Sequence, residues 1–313
     1  MVGRPDKPTS WGPIERYADR RGFGFGPTGY RWPTMVVSGL DVDTLHFLER
    51  HETRVHAIPG RQVRDLGDAV LLHDPLDREP FWNRVAAIRW PNDGRAFDRR
   101  LDETIMLFAT LDRQPHLWPR PILREPPDIV ERLAAAGFDD VGAGRIMVLD
   151  RPDVLAGRGG ATDRAVGIER LHELAAPHAR AVAADVALVL VEAFEAEPER
   201  QASIEAETRA WLDHPDLHVC LARVDGEPAA VAKRATFDGA TYLSSIGTRP
   251  AFRGRGLGGL VTAVAAADGI AAGSRWTHLG VYSRNEEARR VYGRLGFAPV
   301  GGDVPDLIMR SDR

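Results

Sequence analysis

Glycines and arginines alternate in the stretch PAFRGRGLGGL, which covers residues 250–260 of this 313-residue chain. Glycine has no side chain and lets a backbone come close to a ligand, whereas the arginine guanidinium favours anions. A helix-like apolar segment follows, and the free N–H groups at the start of a helix form a general anion-binding site. We therefore expect a phosphate-binding loop made of Arg253, Gly254, Arg255, Gly256, Leu257, Gly258 and Gly259.

Two common phosphate loops do not fit this stretch. Gly254, Gly256 and Gly259 have the spacing of a dinucleotide fingerprint, but that fingerprint follows a strand directly and has an acidic residue about 20 positions later. Here residues 249–252 intervene, and the later strand has Trp-Thr-His at 276–278 instead of a carboxylate. The Gly-Lys-Ser/Thr of a nucleoside-triphosphate loop is absent from the stretch as well.

A second stretch, NEEARRVYGRLGF at residues 285–297, has the signals of a short amphipathic helix. Asn285 is a good N-cap, and the two glutamates after it suit the positive end of a helix. Apolar residues at helical spacing form a stripe that includes Tyr292, and Gly296 suits a left-handed helix exit. We therefore expect Tyr292 to point toward the sheet.

The two stretches together resemble motifs of the GNAT superfamily of N-acetyltransferases, which bind acetyl-coenzyme A. Arg253, Gly256 and Gly258 match its Arg-x-x-Gly-x-Gly motif, and residues 285–297 match the spacing of a later family motif. The resemblance covers about residues 165–313.

The resemblance implies where the coenzyme would bind. Backbone amides of the glycine loop would hold its pyrophosphate, and Asn285 would belong to the same site. The backbone groups of Ile246, Gly247 and Thr248 would hold the acetyl carbonyl and the pantetheine arm.

Transfer of an acetyl group from a thioester to an amine needs a base for the amine proton and an acid for the departing thiolate. A thiol has a pKa of about 8.5 and a tyrosine of about 10, so Tyr292 is the candidate acid. A tyrosine on an apolar stripe also serves as a core aromatic residue, and both interpretations stay open.

The base is less evident. Some family members carry a glutamate on the strand before the loop, but TYLSSIGT at 241–248 has no carboxylate. His278 has a suitable unperturbed pKa, yet an isolated strand histidine is more often structural, and a chain of waters could serve instead. The polar residues of this strand and the next are Tyr242, Ser244, Ser245, His278 and Tyr282.

Carboxylates outnumber arginines between residues 192 and 213. An acidic lining would concentrate a cationic amine, whereas ordinary solvated helix faces have the same composition, and both interpretations stay open. The carboxylates are Glu192, Glu195, Glu197, Glu199, Glu205, Glu207 and Asp213.

Composition excludes several classes of function and of binding site. A formal net charge of −4 without a lysine-rich run argues against nucleic-acid binding. The basic residues are nearly all arginines, which is typical of GC-rich bacterial genomes. The single cysteine, Cys220, excludes an internal disulfide and a multi-cysteine zinc site, and we expect a buried thiol and no metal. Without an apolar signal or membrane-spanning segment, we expect a cytoplasmic monomer or homodimer.

The second half predicts a mixed α/β sheet flanked by helices. Asp225-Gly226 predicts a tight hairpin between LHVCLARV and EPAAVAKRATF. Further strands are predicted at VGIERLHEL, TYLSSIGT and WTHLGVYS and after Gly296, and helices at 177–194, 202–214, 257–272 and 285–294.

The first half echoes the second. ERLAAAGFDDVG at 131–142 and RRVYGRLGFAPVG at 289–301 both predict a helix with a Gly-Phe exit before a strand. Between Arg95 and Ala136 there is no glycine loop like the one at 253–259. Further strands are predicted at DAVLLHD, NRVAAIRW and ETIMLFATL and a helix at PDIVERLAAAG, whereas residues 1–40 have no assignment.

We therefore expect two tandem copies of a GNAT-like acyl-CoA N-acyltransferase fold. A degenerate copy with an irregular amino-terminal extension would occupy residues 1–150, a linker 151–164, and the acetyl-coenzyme A-binding copy 165–313. The expected activity is acetylation of a primary amine of a small molecule by direct attack. A non-catalytic acetyl-coenzyme A sensor and a protein N-acetyltransferase are the alternatives.

Overall fold

The computed structural model describes residues 40–58, 60–119, 126–157 and 166–310, so the predicted extension at 1–39 lies outside the described residues. Helices are interspersed with strands along this part of the chain. The helices are α1 (Val42–Ala57), α2 (Gly94–Thr110), α3 (Ile129–Ala135), α4 (Ala176–Ala193), α5 (Gln201–Leu212), α6 (Leu257–Ala271) and α7 (Glu286–Arg294). The strands are β1 (Gln62–Asp65), β2 (Val70–His73), β3 (Arg84–Ala86), β4 (His116–Leu117), β5 (Phe138–Leu149), β6 (Val166–Arg170), β7 (Leu217–Val224), β8 (Glu227–Phe237), β9 (Ala240–Thr248), β10 (Trp276–Tyr282) and β11 (Phe297–Met309).

The chain forms two compact units. Unit 1 contains His56–Ala143 and the described residues from Val304 onward, and unit 2 contains Gly144–Asp303 and helix α1 as far as Val55. The predicted boundary at 151–164 remains a prediction, because the units are bounded within strands β5 and β11 and residues 158–165 lie outside the described part. Residues Pro152–Gly157 form a 3₁₀ helix, and Leu155 packs in the core of unit 2.

Unit 2 contains the predicted mixed sheet. Strands β6 to β9 form an antiparallel meander, β10 lies parallel to β9, and β5 lies antiparallel to β10. The apolar faces of α6 and α7 pack on one side of this sheet, where Val261, Val264 and Leu295 share a core with Leu243 and Leu279. On the other side α4 approaches β9 at Gly247, whose Cα faces Ala193.

The turn at Asp225-Gly226 is the predicted hairpin. Both residues have positive φ, +51° and +86°, and they join β7 directly to β8. These are the left-handed conformations that a two-residue turn needs to match the twist of its strands.

Unit 1 has its own apolar core, which packs beside strands β1 to β4 and the end of β11. Strands β1 to β3 are antiparallel, β4 is parallel to β3, and β11 pairs with β4 through Leu307 and Leu117. The strand predicted at ETIMLFATL, residues 103–111, is wrong, because these residues belong to α2 except for its C-cap, Leu111. Phe97, Leu101 and Phe108 recur at helical spacing on the buried face of α2, and this periodicity overrides the apolar run.

The predicted echo between the two halves has a structural counterpart. Helices α3 and α7 both end before a glycine with positive φ, +96° at Gly137 and +91° at Gly296. A buried phenylalanine follows each glycine and begins a long strand, Phe138 in β5 and Phe297 in β11.

Candidate functional site

Strands β9 and β10 separate in the middle of the unit 2 sheet. Their parallel pairing runs from Ala240 opposite Trp276 to Leu243 opposite Leu279 and does not continue in the described residues. Beyond that point β9 still pairs with β8, and β10 still pairs with β5. The β10-facing edge of β9 after Leu243 therefore has backbone groups that no ladder uses.

A bulge in β9 accompanies the separation. Val231 of β8 lies opposite Gly247, whereas Lys233 lies opposite Ser244, so β9 has an extra residue between these pairs. Ser245 has a φ of +49°, which is a strained conformation for a residue with a side chain. The bulge turns Ile246 toward the core under α6.

A short loop that contains a 3₁₀ turn at Pro250–Phe252 joins the separated end of β9 to helix α6. Gly256 is its N-cap and has a left-handed backbone, with φ +77° and ψ 6°, and Gly254 has a φ of +79°. Nothing lies within 4 Å of a Cβ placed on either glycine, so the space beside them is open. The first N–H groups of α6, at Leu257–Gly259, have no carbonyl partner within the helix. This backbone can receive an anion.

The other glycines of the predicted site allow close packing rather than open access. A Cβ on Gly258 would lie 3.1 Å from Thr248 Oγ1, and one on Gly259 would lie 3.5 Å from Val291 Cγ1. One on Gly247 would lie 2.8 Å from the Cβ of Ala193. These positions bring α6 against the end of β9 and against α7, and β9 against α4.

The predicted loop arginines lie on the surface. Arg253 donates to the carbonyl oxygens of Ala193, at 3.1 Å, and Thr248, at 3.4 Å, so it ties the loop to α4 and β9. Arg255 is exposed. Arg249 is not among the residues predicted from the sequence, and its guanidinium donates to both carboxylate oxygens of Glu192 at 2.9 Å.

The second motif folds as predicted. Asn285 caps α7, since its side-chain oxygen accepts a 3.1 Å hydrogen bond from the Ala288 amide. Tyr292 is 7% exposed, and its ring centroid lies 6.2 Å from that of Phe297. Burial raises the pKa of Tyr292 to about 12. Tyr292 and Leu257, the first residue of α6, belong to the same core cluster, so the two motifs meet there.

The cysteine and the carboxylates considered in the sequence analysis have contacts typical of structural residues. Cys220 is 4% exposed and burial raises the pKa of its thiol to about 12, as expected for an inert core cysteine. Within the described part of the chain, no three His, Cys, Asp or Glu side chains are grouped so as to hold a metal ion. Several of the predicted carboxylates form ion pairs with basic side chains of the protein itself, among them Glu192, Glu205, Glu207 and Asp213.

Residues 184–297 match the model of the acetyltransferase (GNAT) family. No curated protein sequence is significantly similar to the chain. Among solved structures, a GCN5-related N-acetyltransferase from Kribbella flavida is 22% identical, with a TM-score of 0.60 over 83% of this chain and 95% of that one. A GCN5-related N-acetyltransferase from Sphaerobacter thermophilus is 19% identical, with a TM-score of 0.56 over 82% and 84%.

A tandem GNAT protein from the clavulanic acid biosynthesis pathway has a TM-score of 0.58 at 16% identity, over 82% of this chain and 86% of that one. At these identities the likeness concerns the fold, and it extends well beyond residues 184–297. The predicted fold, GNAT-like with a tandem relative, is confirmed. No helix in the described ranges has the length and apolar character needed to cross a membrane.

Proposed function

We propose that this chain, whose residues 184–297 form a GNAT acetyltransferase domain, moves an acetyl group from acetyl-coenzyme A to a primary amine of a small molecule. The GNAT family uses acyl-coenzyme A. The observation that carries the proposal is the left-handed N-cap of α6 at Gly256, in the loop that follows the part of β9 separated from β10.

The residues present fit the coenzyme. Its pyrophosphate would be held by the free amides at the start of α6, where open space beside Gly254 and Gly256 permits a close approach. The unpaired edge of β9 at Ile246, Gly247 and Thr248 would bind the pantetheine arm and the acetyl carbonyl. Arg253 acts by tying the loop to α4 and β9, and Asn285 acts by capping α7.

Bound acetyl-coenzyme A supplies the acyl group as a thioester. Tyr292 is the proposed proton donor to the departing sulfur. Its raised pKa keeps the hydroxyl protonated at neutral pH, so the proton is always present. The same shift makes the hydroxyl a weaker acid than free tyrosine, so we expect the proton to move only as negative charge develops on the sulfur.

The first copy of the fold is proposed not to bind coenzyme. Helix α2 precedes α3 as α6 precedes α7, but the N-cap of α2 is Asp93, whose carboxylate accepts a 2.9 Å hydrogen bond from Ala96 N–H. A carboxylate at this position repels a pyrophosphate and occupies the amide that would bind it. Calorimetry should therefore show that one molecule of acetyl-coenzyme A binds to each chain.

A screen of amines with acetyl-coenzyme A, followed by thiol release and by mass spectrometry of the products, tests the function. The proposal expects one acetylated small amine for each thiol released. Coenzyme binding without turnover on any amine would indicate a sensor. Acetylation of peptide amines in preference to small ones would indicate a protein acetyltransferase.

A further inference from the structure

A buried polar cluster lies on the side of the unit 2 sheet that faces away from α6. Helix α1 contributes Glu52, which is 5% exposed, and the Tyr242 hydroxyl of β9 donates a 3.0 Å hydrogen bond to its Oε1. Tyr242 pairs with His278 of β10, and their rings are in edge contact with centroids 5.0 Å apart. Unit 2 thus has, beside β9, the carboxylate that β9 itself lacks.

The cluster reaches the surface through Gly280. This glycine is exposed, and a Cβ placed on it would lie 3.1 Å from the Tyr242 hydroxyl and 3.5 Å from Glu52 Oε1. Any larger residue at position 280 would cover the pair. The absence of a side chain at Gly280 leaves an opening of about one side-chain atom directly above the Tyr242 hydroxyl and Glu52 Oε1.

That opening coincides with the separation of the strands. Gly280 is the first residue of β10 after Leu279, the last one that pairs with β9. On β9, Tyr242 stands four residues before Ile246, whose backbone is proposed to hold the acetyl group. The pair therefore lies at the mouth of the gap between the two strands.

His51 of the cluster is a poor proton acceptor. His51 Nδ1 lies 3.1 Å from His278 Nε2, so each of these nitrogens is engaged by the other ring. Burial, with the nearby charge of Arg54, lowers the pKa of His51 to about 4. The titratable groups of the cluster itself are His51 and Glu52 on α1, Tyr242 on β9 and His278 on β10. Helix α1 also carries Asp43, His46, Glu49, Arg50 and Arg54, and Arg54 pairs with Asp238, which follows β8.

We propose that Glu52, acting through Tyr242, is the general base that removes the proton from the acceptor amine. This inference rests on the proposed acetyltransferase function. As the amine nitrogen forms its bond to the acetyl carbon, its proton passes to the Tyr242 oxygen and the tyrosine proton passes to Glu52. The carbon–sulfur bond breaks, and the sulfur takes a proton from Tyr292. Glu52 returns its proton to solvent and Tyr292 regains one, so one amide and one thiol are formed.

Glu52→Gln keeps the size of the side chain and removes its basicity, whereas Tyr242→Phe removes only the hydroxyl. With the best amine of the screen, Glu52→Gln should lower kcat by about 10²- to 10⁴-fold, the usual contribution of a general base. Its rate should also rise more steeply with pH between 7 and 9 than that of the wild type, because the amine must then lose its proton to solvent. Tyr242→Phe should lower kcat in the same direction.

Two further measurements separate a base from other roles. Calorimetry of the amine in the presence of unacetylated coenzyme A should give affinities within about threefold for wild type and Glu52→Gln, since a base is not needed for binding. Glu49 is another buried carboxylate on α1, so Glu49→Gln is the matched control. This variant should keep kcat near wild type.

The outcomes distinguish this inference from the function on which it rests. If the wild type acetylates no amine, both fail. If it acetylates an amine and Glu52→Gln does so within about twofold of wild type, only the inference fails. Equal losses in Glu49→Gln and Glu52→Gln, or a loss of amine affinity that accounts for the whole effect, would also overturn it.

Discussion

The Tyr242 hydroxyl donates a hydrogen bond to Glu52, a residue 190 positions earlier in the chain. The bond lies within one compact unit, because helix α1 as far as Val55 belongs to unit 2. The unit that holds the candidate site is therefore discontinuous in sequence. A polypeptide beginning at residue 165 would lack both Glu52 and the face of α1 that covers Tyr242 and His278.

Replacement of Tyr292 separates catalysis from packing. Tyr292→Phe keeps the ring in the core and removes the hydroxyl, so turnover should fall by at least about 10²-fold with little change in coenzyme affinity. The matched control is Tyr282→Phe, because Tyr282 is 47% exposed, and its turnover should stay near wild type. Steady-state kinetics under conditions where chemistry limits the rate check both variants. Turnover of Tyr292→Phe within about twofold of wild type would make Tyr292 a core residue only.

Stability should decrease in mild acid because of His51. Its pKa is lowered to about 4 in the folded protein, whereas an unfolded histidine titrates near 6.5. The unfolded state therefore binds protons first, and the free energy of unfolding should fall as the pH is lowered from 6.5 to 4. At about 1.4 kcal/mol per pKa unit, His51 accounts for at most about 3.5 kcal/mol of this loss.

Urea unfolding at pH 7 and pH 4.5 checks this prediction. His51→Gln should show a smaller difference between the two pH values than the wild type. Part of the pH dependence should remain, because burial also lowers the pKa of His218 to about 4. An unchanged difference in His51→Gln would contradict the assignment.

Two helical glycines should respond oppositely to alanine. A Cβ on Gly269 of α6 would overlap the Thr241 side chain of β9, so Gly269→Ala should destabilise the protein by about 1–3 kcal/mol. Nothing lies within 4 Å of a Cβ on Gly293 of α7, so Gly293→Ala should stabilise by up to about 1 kcal/mol. Chemical unfolding measures both, and a neutral Gly269→Ala would mean that α6 and β9 pack less closely.

Sequence periodicity predicted the elements around the glycine loop because their apolar residues recur without interruption. Helix α6 is of this kind, whereas the hairpin at Asp225-Gly226 was predicted from its two turn residues. In α2, by contrast, the apolar run at 103–111 concealed a helical spacing that only becomes clear when Phe97 and Leu101 are included.

Helix α1 was missed for a different reason. Its inward positions include Glu49, His51 and Glu52 beside Leu45, Leu48 and Val55, so its buried face does not look apolar. The signal that could have revealed it is the N-cap, since Asp41 Oδ1 accepts a 2.7 Å hydrogen bond from the Thr44 amide. Contacts between residues 190 positions apart leave no such local signal. The partnership of Glu52 with Tyr242 could therefore not be predicted from the sequence.

Binding of acetyl-coenzyme A to Gly256→Glu is the measurement that tests the candidate site most directly. Gly239→Glu is the matched control, because Gly239 has nearly the same φ, +76° against +77°, and equally open surroundings. Both variants should lose similar stability, since both force a side chain into a left-handed backbone. By calorimetry on the folded proteins, we expect Gly239→Glu to bind like wild type and Gly256→Glu to show no binding. Equal affinity in both variants would contradict the assignment of the α6 amino terminus as the pyrophosphate site.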